Sequence, residues 1–248
     1  MDRKIRVGAV SYLNTKPLIY GFEQGMMADE VELLIDYPSK IAQKLLDNEI
    51  DIGLVPVAII PELKKHHIVS DFCIACDGAV ASVCLFSEVS IENIEVVLLD
   101  YQSRTSVALL KVLLRDHWKI SPVLKVGTEG YENCISGTTA GLVIGDRAFN
   151  QRKKSTYIYD LGKAWKDLTG MPFVFAAWIS NKNLAPDFIE RFSAANREGL
   201  NHIESVVEDH LLPGFDLNKY YKKNIRFKLD VDKLEVIQLF LNKIKNHG

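Results

Sequence analysis

The sequence predicts an α/β fold in two lobes with a ligand cleft between them, and three observations carry that prediction. Strand-forming and helix-forming patterns alternate through the first part of the chain, the order of a parallel sheet with right-handed crossovers. Two stretches, residues 4–20 and 96–114, share the form strand, polar turn, helix start, about 90 positions apart. The alternation lapses after residue 64, restarts at residue 94, and gives way to helices at the end. That order suits a protein whose middle segment forms an inserted lobe. The expected division is 1–88 with 179–248 in one lobe and 89–178 in the other, with crossings near 86–90 and 177–181. Small molecules favour such clefts.

The first of those stretches reads KIRVGAVSYLNTKPLIY. Ile5, Val7 and Val10 are strand formers, and Ser11, Tyr12, Asn14 and Thr15 then break the apolar run. Pro17 stands where a helix can begin, because its missing N–H would be unpaired there anyway. Such a turn aims backbone N–H groups and the positive helix end at one point, a natural anion site. Residues 31–37 (VELLIDY) read as a second strand, and Pro38-Ser39 opens a helix with Ile41, Ala42, Leu45 and Leu46 at helical spacing. A short third strand at 51–55 leads into Pro56 and an apolar run at 57–60.

Residues 68–76 and 80–86 both look extended, with Asp77-Gly78 as the turn between them. The restart at 94–99 leads to a helix from 106 to about 117, a strand near 123–126, and another at 140–144 that ends in Gly145-Asp146. Asp160 caps a helix that carries Leu161, Trp165 and Leu168 on one face and stops at Gly170 and Pro172. Residues 173–179 form a dense apolar strand with little alternation, the pattern of burial on both faces. Residues 186–210 read as one long helix, followed by helices at 218–223 and 231–245.

With 248 residues, 48% hydrophobic and 25% charged, the chain can bury a real core. A net charge of −2, with no basic and aromatic stripe, gives no reason to expect nucleic acid. The basic clusters at 152–154 and 222–223 read as solvated turns. No apolar run approaches the ~18 residues of a membrane span, and the N-terminus enters a strand without a signal-peptide pattern, so a cytoplasmic protein is expected. Cys73 and Cys76 have the spacing of half a zinc site without a second pair, and Cys84 and Cys134 stand alone. All four read as small buried thiols, and no metal or cofactor is expected.

The chain holds no nucleophile elbow, phosphate-binding glycine loop, HExxH helix or Ser-His-Asp spacing. Its six histidines, His66, His67, His117, His202, His210 and His247, fall in polar breaks or on helix surfaces and read as structural or solvated. The site is therefore expected to be built from neutral polar groups and backbone amides. Ser103-Arg104-Thr105-Ser106 is the strongest anion candidate: hydroxyls and helix-start N–H groups can grip a carboxylate that a guanidinium holds in bidentate fashion. Plain N-capping with Arg104 in solvent explains the same residues. Ser11, Tyr12 and Asn14 are turn formers by default and ligand contacts if the cleft exists. Ser82, in an extended apolar run, needs a hydrogen-bond partner. Asp146 suits a catalytic carboxylate or a cap on the following helix.

SYLNTKPL (11–18), PSKIAQKLLDNEIDIGLVPVAII (38–60), SRTS (103–106), GD (145–146) and DLGKAWKDLTGMPFVFAAW (160–178) occur together and in order. This set closely resembles the MqnA family, the chorismate dehydratases that open the futalosine route to menaquinone. Met171 and Ile60 look like minor variants of the more usual residues. The resemblance implies the two-lobed, type II periplasmic-binding-protein-like fold, in agreement with the element order.

It also implies loss of water from chorismate to give 3-[(1-carboxyvinyl)oxy]benzoate, with chorismate, a small dicarboxylate, as the partner. Aromatisation makes that reaction strongly downhill, and the substrate's own enolpyruvyl carboxylate lies close enough to C3 to take its proton. By resemblance, Asn14 and Ser82 make the polar contacts at the reacting carbons and the leaving hydroxyl. Ser103, Thr105 and Ser106 bind a carboxylate, and Arg104 either joins them or forms a pair elsewhere. The alternatives are a 1,4-dihydroxy-6-naphthoate synthase, the sister enzyme of the same route, and a non-catalytic binder of small carboxylates on the same fold.

Overall fold

The computed structural model describes residues 3–245, so His247 lies outside the described residues. The chain divides into two compact units: one takes the described residues through Ala75 together with Val174–Val231, and the other takes Cys76–Phe173 with the described residues from Asp232 onward.

The first unit begins with β1 (Ile5–Val10), a 3-10 turn at Leu13–Thr15, and α1 (Lys16–Glu23), whose first turn contains Pro17. Strand β2 (Val31–Asp36), helix α2 (Pro38–Leu46) and strand β3 (Ile52–Pro56) follow the expected alternation, and both β2 and β3 run parallel to β1. Strand β4 (His67–Cys76) closes the unit's first half.

The second unit holds β5 (Val83–Ser87), β6 (Val96–Leu99), α3 (Arg104–Leu113), β7 (Val123–Val126) and β8 (Thr139–Ile144). It continues with α4 (Asp146–Gln151), β9 (Tyr157–Asp160) and α5 (Leu161–Thr169). Its five strands lie in the order β7-β6-β8-β5-β9. Strand β7 is an edge strand, paired with β6 on one side only, and all four of its residues are exposed.

The chain then returns to the first unit through β10 (Phe173–Ser180), α6 (Pro186–Asn201), α7 (Ile203–Asp209), the short α8 (Leu217–Lys219) and β11 (Arg226–Lys228). Helix α9 (Val231–Lys245) ends the described chain in the second unit. The six-stranded sheet of the first unit has the order β11-β4-β10-β3-β1-β2. Every residue of β10 is buried, as its unbroken apolar run predicts.

Helix α1 is seated on α6 at backbone distance. A Cβ on Gly21 would lie 2.3 Å from the Ala195 carbonyl oxygen, and one on Gly199 would lie 2.1 Å from that of Pro17. Glycine at both places lets the two helices touch main chain to main chain, which fixes where α1 starts and where the turn before it sits.

The crossings between units differ from those read in the sequence. Residues 76–88 group with the second unit because β5 pairs with β8 and β9, not with β4. Residues 174–178 group with the first because β10 runs antiparallel to β3 from Ala176 to Ser180. Helix α9 joins the second unit, where Phe240 packs edge-on to Phe173 and Trp165 with centroids 5.0 and 6.1 Å away. Lys243 adds an ion pair to Asp116 at 3.0 Å.

Four smaller differences have local causes. The helix expected over 186–210 breaks at His202, whose φ of −120° and ψ of 38° are not helical. The helix expected at 218–223 is one turn of α8 followed by a π turn at Tyr220–Asn224. Strands β9 and β11 are too short for a periodic signal. Cys73, Cys76 and Cys84 are buried as expected, whereas Cys134 is exposed on a 3-10 turn at Tyr131–Cys134. No described helix is long and apolar enough to cross a membrane.

Candidate functional site

In the first unit, Ser11, Tyr12 and Asn14 cluster where β1 ends. The Ser11 N–H donates to the Asp36 carbonyl at 3.0 Å, so the turn leaves the sheet beside β2. Ser11 is exposed, Asn14 is half-buried, and Tyr12 is buried and offers little surface. Thr15, fully buried, donates its hydroxyl to Asn14 Oδ1 at 3.3 Å. That bond engages the amide oxygen of Asn14, whose Nδ2 group is a donor. Tyr221 ties the same turn from beneath, its hydroxyl donating to the Leu13 carbonyl at 2.9 Å.

In the second unit the sheet register brings five of the candidates to one end. Strands β6 and β8 are parallel and finish there; β5, antiparallel to β8 with Val83 opposite Ile144, begins there. Ser82 therefore lies beside Gly145, whose N–H donates to the Ser82 carbonyl at 2.8 Å. Ser82 is fully buried and stands just before β5, not within a strand.

At the same end α3 starts with Ser103 as its N-cap, and the Ser103 hydroxyl accepts from the Ser106 N–H at 3.0 Å. Accepting that bond leaves the Ser103 hydroxyl proton to be donated. Thr105 and Ser106 are buried on the inner side of α3. Arg104 is half-buried and, with Asp100, Ser103, Val107, Lys111 and Arg115, lines a groove of about 480 Å³. Asp146 opens α4, a favourable place for a negative charge. None of the described histidines lies in either cluster.

A family model described as menaquinone biosynthesis matches residues 5–246. The chain belongs to that family. Among curated relatives, a chorismate dehydratase of Thermus thermophilus is 28% identical over 225 residues, covering 82% of this chain and 80% of the relative. A chorismate dehydratase of Campylobacter jejuni is 27% identical over 247 residues, covering 96% of each. Among solved structures, protein AF1704 of Archaeoglobus fulgidus superposes with a TM-score of 0.79 at 16% identity, over 99% of this chain and 98% of that one. The periplasmic aliphatic sulphonate binding protein SsuA of Escherichia coli gives 0.65 at 15% identity, over 99% and 92%. These likenesses establish the periplasmic-binding-protein-like fold.

In this member of the menaquinone biosynthesis family the second cluster is anchored by a charged network that sequence reasoning did not find. Asp100, fully buried in its side chain, accepts from Arg147 at 2.7 Å, the Gln102 N–H at 2.8 Å, the Ile144 N–H at 3.2 Å and the Tyr131 hydroxyl at 2.9 Å. The Tyr131 hydroxyl also meets the Leu142 carbonyl. Arg147 continues to Glu132 at 2.6 Å and to Gln102 Oε1 at 3.1 Å.

Burial pushes the Asp100 carboxyl up despite the opposing charge of Arg147. Burial, and then the Asp100 charge, push the Tyr131 phenol up. The network joins the loop after β6 to the start of α4, so the Ser103 turn and the Asp146 turn are held as one piece. The only hint in the sequence was that Asp100, like Asp146, ends a strand.

Proposed function

We propose that this protein is a cytoplasmic, cofactor-independent chorismate dehydratase, converting chorismate to 3-[(1-carboxyvinyl)oxy]benzoate and water. The observation that carries the reading is the pooling of Ser82, Ser103, Thr105 and Ser106 at one end of the second sheet. That is a set of neutral donors suited to a carboxylate, in a chain whose curated relatives are named chorismate dehydratases.

The chemistry asks little of a protein base. The substrate's enolpyruvyl carboxylate takes the C3 proton and passes it to the C4 hydroxyl, which departs as water as the C3–H electron pair becomes the new ring double bond. The ring is then aromatic. Ser103, Thr105, Ser106 and the N–H groups of α3 bind a carboxylate; Ser82 and Asn14 contact the reacting carbons and the leaving hydroxyl. Asp146 and Ser11 complete the polar lining, Tyr12 supports the turn, and Arg104 supplies a nearby positive charge. Catalysis on this account is positioning and exclusion of water.

The test is incubation of purified protein with chorismate, followed by the product's ultraviolet spectrum. Unchanged chorismate at high enzyme concentration rejects the proposal. Calorimetric binding without conversion would instead support a carboxylate-binding protein, and turnover of cyclic dehypoxanthine futalosine would support the naphthoate-forming enzyme. Asn14→Ala is expected to reduce turnover far more than thermal stability, and equal loss of both would return Asn14 to a structural role.

A further inference from the structure

The backbone leading into Ser82 has a shape that needs holding. The Ser82 N–H donates to the Val80 carbonyl at 2.8 Å, and Ala81 between them has a φ of 66°. A bond from residue i+2 to residue i across a positive φ is the rare, strained form of the γ-turn. A side chain with a Cβ persists there only when its surroundings over-determine it.

Two charged side chains supply those surroundings. Asp160, the last residue of β9, accepts from the Val80 N–H at 3.0 Å through Oδ1 and from the Ala81 N–H at 2.7 Å through Oδ2. Arg152, just past α4, donates to the Ala81 carbonyl and to Cys84 Sγ, each at 3.3 Å. The peptide groups on both sides of Ala81 are thereby gripped.

Asp160 also caps α5 by accepting from the Lys163 N–H at 3.1 Å. Capping needs only that bond, so the two bonds to Val80 and Ala81 are additional. The seat is close: a Cβ on Gly162 would lie 2.5 Å from Cys76 Sγ and 2.6 Å from the Gly78 carbonyl oxygen.

We propose that Asp160, assisted by Arg152, is a positioning residue for the dehydration, holding Ala81 in its strained turn so that the Ser82 hydroxyl is aimed at the reacting carbons. The inference rests on the chorismate dehydratase reading and on the role of Ser82 within it. Without the carboxylate the turn relaxes toward extended backbone and carries Ser82 away, and a displacement of about 1 Å at a reacting centre costs about 100-fold in rate.

The test is a double-mutant cycle on the full chain with chorismate, using Ser82→Ala, Asp160→Asn and both together. The amide of Asp160→Asn keeps one acceptor oxygen for the cap but cannot serve Val80 and Ala81 together. Asp160→Asn is expected to lower kcat about 100-fold while KM stays within about threefold. The double variant is expected to be no slower than Ser82→Ala alone, because a loss acting through one group is not counted twice.

Additive losses overturn the proposal, as does an unchanged kcat for Asp160→Asn. Ser82→Ala with undiminished turnover overturns it by a separate route, through the Ser82 reading itself. Glycine adopts positive φ without the Cβ penalty, so adding Ala81→Gly to Asp160→Asn is expected to recover part of kcat; no recovery overturns the proposal. If Asp160→Asn shows no cooperative thermal transition, Arg152→Gln takes its place in the cycle. A kcat loss that vanishes in the Ser82→Ala background supports the proposal, and an equal fractional loss in both backgrounds overturns it.

Discussion

Gly199→Ala tests the claim that the turn before α1 is placed by contact between two helix backbones. At an exposed helix position this change stabilises by roughly 1 kcal/mol, the difference in helix propensity. Here the new methyl would lie 2.1 Å from the Pro17 carbonyl oxygen and 2.6 Å from Tyr20 Cβ. Ordinary contact begins near 3.4 Å, so α1 has to retreat by about 1.3 Å. The same crossing is about as tight one turn along, where Gly21 of α1 meets Ala195 of α6.

Overpacking of this kind costs about 1–3 kcal/mol, enough to cancel the propensity gain of roughly 1 kcal/mol and leave a net loss of up to about 2 kcal/mol. In a chain of this length that corresponds to a fall in Tm of up to roughly 8 °C and no rise. The displacement also reaches the Ser11 to Thr15 turn, so kcat/KM for chorismate is expected to fall by about tenfold or more. Calorimetry and steady-state kinetics on the same preparation check both parts. A rise in Tm would show that propensity alone operates at this site and refute the reasoning.

Two further perturbations follow from the electrostatics and the capping. Burial alone would raise the Asp51 carboxyl, but the Arg6 N–H, the Arg6 and Lys182 side chains and Arg3 outweigh it and hold the carboxyl well below its usual range. A depressed pKa contributes stability above the unfolded-state value of 3.8 that is lost as pH falls through the lower folded value. Asp51→Asn is therefore expected to cost about 2–3 kcal/mol at pH 7 and to flatten the acid limb of the stability curve; an unchanged acid limb in urea titrations contradicts this. Ser103→Ala removes the cap on α3, worth about 1 kcal/mol, and is expected to raise KM for chorismate more than it lowers kcat. An unchanged KM would remove Ser103 from the carboxylate site.

What the sequence made legible was local. The turn before α1, the α5 helix with its Asp160 cap and its Gly170 stop at φ 73°, the buried β10 and the α9 boundaries all follow from short-range patterns. The unit boundaries did not, because they depend on which strands pair, and β5 finds its partners in β8 and β9 far along the chain. The break at His202 was hidden because the apolar stripe of α6 continues into α7. In the site, Ser103 was visible as a cap and its neighbours as donors. Asp100 and Arg147, 47 positions apart, meet only once the sheet is built. Ala81 gave no signal at all, since alanine is among the last residues to suggest a positive φ.

Strand β7 carries a consequence for how the protein behaves in concentrated solution. Its outer hydrogen-bonding edge is open, and Val123 and Val126 are 58% and 75% exposed. Such a stretch templates the addition of a foreign strand unless a charge interrupts it. Lys125 is the interruption: an incoming copy laid in register would set two ammonium groups side by side. Lys125, the four-residue length of β7 and Pro122 just before it together guard that margin of the second unit.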